Sequence, residues 1–193
     1  SDTIGGYNAM LEKQKKDQGE AVITTVLFDD KYELLHDRIN IRGVEPITER
    51  DYFVRGYTAL LDAIGKTINK IGRVQKHTAD SERAERVMFV ITTDGMENAS
   101  RKFSREKIRE MITHQKVKYG WEFIFLGANI DSAETAESFG IGRDMAADYN
   151  ADSEGTRLNY EVISQTVSDI RARRSISKEW KERIDEDREK RRS

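Results

Sequence analysis

The sequence contains no cysteine, which excludes disulfides, thiol catalysis and thiolate metal sites together. Its three histidines, His36, His77 and His114, stand far apart, so a zinc centre is not expected and any metal would be held by oxygen. There is a single proline, Pro46. Acidic residues number 35 against 33 basic ones, and the resulting net charge of -2 gives no global field that would select nucleic acid or a membrane surface. No apolar run approaches a bilayer span and no signal-like stretch opens the sequence, so the expectation is a soluble cytoplasmic protein with neither nucleic acid nor membrane as partner.

What is present is enough for one well-buried domain with a short appendage: 193 residues, organised as alternating helical and strand-like segments. Ile4, Tyr7, Met10 and Leu11 recur at spacings of three and four, which predicts an amphipathic helix over Asp2 to Asp17, ended by Gly19. Two strand-like runs, Ala21 to Phe28 and Tyr32 to Ile41, are split by Asp29, Asp30 and Lys31 and predict a hairpin whose second strand faces water. A long loop through Pro46 leads to a helix over about Ala59 to Val74, with Leu60, Leu61, Ile64, Ile68 and Ile71 as its stripe. Val87 to Ile91 and Trp121 to Asn129 are uninterrupted apolar runs suited to strands buried on both faces. Helices follow them, one from about Ser104 to Lys118 and a short one capped by Asp131 and closed by Gly140. An extended piece at Met145 to Tyr149 precedes a last long helix, about Asp152 to Arg173. This alternation predicts an α/β fold: a doubly wound, mostly parallel sheet between helical layers, with an antiparallel edge hairpin, over residues 1–173.

Residues 174–193 are almost entirely charged. Ile176, Trp180 and Ile184 recur at spacing four and predict a helical tail with one narrow apolar stripe that packs on the domain or on a second copy, the alternative being a mostly disordered tail. The basic clusters at Arg171 to Arg174 and Lys190 to Arg192 are blunted by the acids between them, which argues against a nucleic-acid surface. His36 and His114 read as ordinary polar surface.

Two short motifs carry chemistry. Gly56, Tyr57 and Thr58 stand immediately before a helix, and Asp94 with Gly95 stands immediately after a buried strand, at the end of the sheet where ligands of open α/β folds sit. A hydroxyl and a carboxylate on adjacent loop ends suit a hard divalent cation, which takes a few oxygens and keeps waters. In their order and surroundings, "GYTALLDAIGKTI" and "FVITTDGMEN" resemble the von Willebrand factor type A domain of the bacterial, intracellular kind, and the resemblance runs on through "GANIDSAETAESFGI" and "YNADSEGTRLNYEVISQTVSDIR". It implies a Rossmann-like fold and a metal-ion-dependent adhesion site built from three loops. Thr58 matches the second loop, ligating magnesium (or manganese or calcium) directly, and Asp94 matches the third, bridged through water. Asp62, Gly95, Glu97 and Asn98 fall at the rim of that site, Asp62 as an acceptor orienting it or as a favourable charge at a helix start, and Glu97 as a solvent-facing or capping charge.

The first loop of the family, an Asp-x-Ser-x-Ser pattern after the first strand, has no counterpart: the sequence opens within the first helix, and Ser1, Asp2 and Thr3 do not supply it. The resemblance therefore implies an incomplete metal site, with metal weakly held or absent, and an amino-terminally shortened chain. It also implies a missing central strand between "AVITTVLF" and "RVMFVIT", whose uncovered edges a partner chain, an exchanged segment or a homodimer would close. The function expected is a non-enzymatic protein-interaction module whose partner presents an acidic side chain to the metal. The alternative is a metal-dependent hydrolase or phosphoryl-transfer enzyme using Asp94, for which no Gly-rich phosphate loop or paired catalytic carboxylate is present except Glu97.

Overall fold

The computed structural model describes residues 1–52 and 56–192, so Phe53, Val54 and Arg55 of the long loop lie outside the described residues. The helices are α1 (Asp2–Lys16), α2 (Leu60–His77), α3 (Arg105–Tyr119), α4 (Ser132–Ser138), α5 (Ser153–Arg171) and α6 (Glu182–Arg192). The strands are β1 (Val22–Phe28), β2 (Tyr32–Asn40), β3 (Met88–Asp94), β4 (Glu122–Ala128) and β5 (Ala146–Asp148). The chain is α/β. β3, β4 and β5 form a parallel sheet in that order, and β1 and β2 form a separate antiparallel sheet. The hairpin expected at the edge of the parallel sheet thus forms, but among the described residues it pairs only with itself.

Local chemistry explains most element ends. Ser104, Asp131 and Asp152 each accept a backbone N–H from the first turn of α3, α4 and α5, satisfying a donor that has no partner within the helix. Gly120 closes α3 in the left-handed conformation, φ 65°, where a side chain would be strained.

β4 organises the core because it alternates between two apolar clusters. Ile124 and Leu126 pack with Leu11 of α1 and Val162 and Ile163 of α5, whereas Phe123 and Phe125 pack with Ile64 and Ile68 of α2 and Ile108 and Ile112 of α3. Phe125 is fully buried and meets Phe139 edge-on, with ring centroids 6.0 Å apart.

One surface assignment and one helix boundary change. His36 is buried because α1 lies over that face of the hairpin: its ring nitrogen is 3.0 Å from the Thr25 hydroxyl and 3.3 Å from that of Tyr7. Burial pushes its pKa down, against the opposing charge of Asp51. His114 is exposed, as expected. In the tail, Ile176 and Trp180 precede the helix rather than belong to it. Trp180 is buried and donates its indole N–H to the Asp144 carbonyl at 2.8 Å, Ile184 is fully buried, and Arg188 pairs with Asp148 at 3.0 Å.

Candidate functional site

The carboxyl end of the parallel sheet gathers the polar residues. β3 ends on Asp94, whose exposed carboxylate accepts a hydrogen bond from the Asn129 side chain just beyond β4. Gly95 follows with φ 136°, a conformation that turns the chain sharply and that L side chains rarely adopt. A methyl placed on Gly95 would stand 3.9 Å from the Thr58 hydroxyl oxygen, so the two loop ends singled out by sequence come together in space.

Their approach is fixed by backbone pairing. The Thr58 N–H donates to the Asn98 side-chain oxygen at 2.9 Å, and the Thr58 carbonyl accepts from the N–H groups of Asn98 and Ala99. Asn98 is therefore a clamp between the loops. Ala59, at the N-cap of α2, has no side-chain oxygen to offer the first turn, and Glu97 does this work from across the site. Its carboxylate accepts from the N–H of Leu61 at 2.9 Å, of Ala99 at 3.0 Å and of Ser100 at 2.7 Å, and from the Ser100 hydroxyl at 2.8 Å.

Asp62 performs a parallel task one residue further on, accepting from the N–H groups of Arg101, Lys102 and Phe103, each at 2.9 Å. Burial opposes its ionisation, but these three donors outweigh it and hold the carboxyl below the usual carboxylate range. Glu97 and Asp62 thus spend their oxygens on backbone. Thr58 and Asp94 remain as the oxygen-bearing pair that the sequence singled out for a cation, one Asp94 oxygen already accepting from Asn129, and among the described residues no group of three or more His, Cys, Asp or Glu side chains gathers around a common point. That donor set falls short of the six oxygens a magnesium ion requires, so waters or another molecule must supply the rest.

Two residues join the site that sequence reasoning did not assign to it. Asn129 follows the buried run of β4 as Asp94 follows that of β3, and this positional parallel was the available signal. Tyr149 is buried beyond β5, and its hydroxyl pKa is pushed up by burial first and by the charge of Asp94 second. Tyr57 and Met96, the neighbours of Thr58 and Gly95, are large apolar side chains that are 63% and 73% exposed.

No family model matches the chain, and no curated protein matches it. Among the described residues no helix is long and apolar enough to cross a membrane.

Proposed function

We propose that this chain is a von Willebrand factor A-like protein-interaction module, with a doubly wound, three-layer architecture and a metal-ion-dependent adhesion site that is incomplete in this sequence. The observation that carries the reading is the approach of the Thr58 hydroxyl to Gly95, the residue after Asp94, between the exposed neighbours Tyr57 and Met96. The two alternating faces of β4, each covered by helices, support the architecture. A hydroxyl and one carboxylate would hold a divalent cation weakly, and a carboxylate on a partner would raise its occupancy by adding charge and oxygen together. Tyr57 and Met96 would give that partner apolar contact around a charged centre, the arrangement in which a few large side chains dominate binding. The role is binding rather than turnover.

Calorimetric titration of magnesium tests it. Binding should be about millimolar or weaker, should tighten when acetate is added as a minimal carboxylate partner, and should vanish in Asp94→Ala. Magnesium binding that survives Asp94→Ala unchanged would sink the assignment.

A further inference from the structure

β5 is an edge strand: among the described residues it is bonded to β4 alone. The Tyr149 N–H donates to the Gly127 carbonyl, so Ala147 and Tyr149 turn their backbone groups towards β4, and Ala146 and Asp148 turn theirs outward. The outward side is covered by the tail. The Asp144 carbonyl accepts from the Trp180 indole at 2.8 Å, and the Ala146 carbonyl accepts at 2.7 Å from the Lys181 ammonium, which also reaches the Arg143 carbonyl at 3.2 Å. Further along, Asp148 pairs with Arg188 at 3.0 Å, Asn150 donates to Asp187 at 2.8 Å, and Asp152 pairs with Arg191. Every second residue from Asp144 to Asp152 is thus met by a side chain of the tail. That is the period of a strand, so the tail lies along this edge where a further strand would otherwise lie.

How the tail is held is a separate observation. From Glu182 to Arg191 only Ile184 is buried, and Glu182, Glu186, Glu189 and Lys190 are exposed. Most other ties to the domain are ion pairs at partly exposed positions: those of Arg188 and Arg191 just named, Arg191 with Glu154 at 2.9 Å, and Arg183 with Glu161 at 2.8 Å. Such pairs contribute little and weaken with salt. An eleven-residue helix is also marginal in water once undocked. α6 therefore belongs to the part of the structure that opens locally, whereas β4, buried from Phe123 to Ala128, opens only with the whole fold. Trp180, buried and bonded ahead of the helix, is the anchor about which α6 lifts.

We propose that Lys181 to Arg191 form a displaceable guard on the outer edge of β5, a self-inhibitory contact that withholds this edge from strand addition until α6 lifts. Lys181 closes it, because its ammonium occupies the outward carbonyl of Ala146 and sets a charge where a further strand would pair. The resting occupant of this surface is a segment of the same chain. With the guard lifted, the edge accepts an extended peptide through main-chain hydrogen bonds. The proposal does not depend on the metal reading or on the site at Asp94.

Amide hydrogen exchange of the whole chain tests it, at low salt and in about 1 M sodium chloride, where the screening length falls to about 3 Å. Each condition is run with and without a synthetic peptide of alternating threonine and valine ending in lysines. Salt should speed exchange in α6 at least about tenfold and leave β4 unchanged. The peptide should slow exchange at Ala146 to Asp148 at least about fivefold in the parent at high salt and in Lys181→Ala/Arg188→Ala at low salt, but not in the parent at low salt. The salt series needs no substitution, so it decides the matter even if the double variant folds poorly. Protection of Ala146 to Asp148 by the peptide in the parent at low salt would show an edge already open. An α6 that exchanges as slowly as β4 at both salt concentrations would be a fixed part of the core. An α6 that opens while the peptide gains no hold on β5, or protects only β1 or β3, would be a frayed helix and nothing more. Each of these results overturns the guard.

Discussion

Replacement of Glu97 separates a structural carboxylate from a metal ligand. In the structure one side chain satisfies three backbone donors and a hydroxyl, bridging the start of α2 to the loop after β3. Glu97→Ala leaves the Leu61 N–H without its cap and frees the 98–100 turn. A lost cap is worth about 0.5–2 kcal/mol, and the charge-assisted bonds inside the turn bring the expected loss to about 3 kcal/mol for a half-exposed, cooperative unit. Glu97→Gln is the sharper probe. If its oxygen replaces Oε1, the pair of N–H groups of Ala99 and Ser100 is kept, but the new amide faces the Leu61 N–H donor to donor. The flipped amide is worse, because it opposes two donors instead of one. The expected cost is therefore about 1–2 kcal/mol, well above an ordinary surface change. Urea unfolding of the two variants and the parent, in EDTA and again in excess magnesium, decides the matter. A loss that is the same in both buffers supports the structural role. A loss under about 0.5 kcal/mol for Glu97→Ala, or one that appears only with magnesium, refutes this reasoning.

Other outcomes follow from single contacts. Gly65→Ala would put a methyl 2.6 Å from the Phe103 ring and drive α2 away from the loop that Asp62 holds, costing about 1–3 kcal/mol in a thermal melt. Trp180→Ala removes a buried indole and its bond to the Asp144 carbonyl, and about 3–5 kcal/mol should be lost in urea unfolding if the tail is part of the core. The pKa of His36 is lowered in the folded protein, so between its ordinary value and that lower one the unfolded chain binds more protons; stability should fall on acidification through this window, and the slope should flatten in His36→Gln.

Much of the fold was legible because its signals are local. The side-chain caps at Ser104 and Asp131, the left-handed Gly140 and the apolar runs of β3 and β4 need only their neighbours in sequence to be read. Thr58 and Asp94 were found by position at element ends, and the structure brings their loops together. What sequence did not give depends on distant partners. His36 looks like the polar face of an edge strand until α1 covers it with Tyr7, and Asp62 looks like a helix-dipole charge until the 101–103 backbone folds onto it. The tail stripe predicts a helix from its spacing, but the fixed contact of Trp180 with Asp144 precedes the helix, which begins at Glu182.

The two apolar strands of the parallel sheet make the strongest contrast between composition and environment. Val87 to Ile91 is as greasy as the run through β4, and by composition both belong in the middle of a sheet. β4 reaches that state because β3 and β5 bond to its two edges and helices cover its two faces. β3 has the helices but, among the described residues, only one bonded edge, and Val90 remains 36% exposed while Met88 and Phe89 are half-buried. β1 repeats the pattern: its seven residues are apolar or threonine, yet none is buried. Both strands line one cavity, and each has an edge without a partner among the described residues, a template for adding another strand. The same exposure makes the chain liable to edge-to-edge association. Light scattering should therefore register growing mass as the chain is concentrated, and an added strand that fills the trough should suppress it. If association is unaffected by filling the trough, the exposed edges are not its cause.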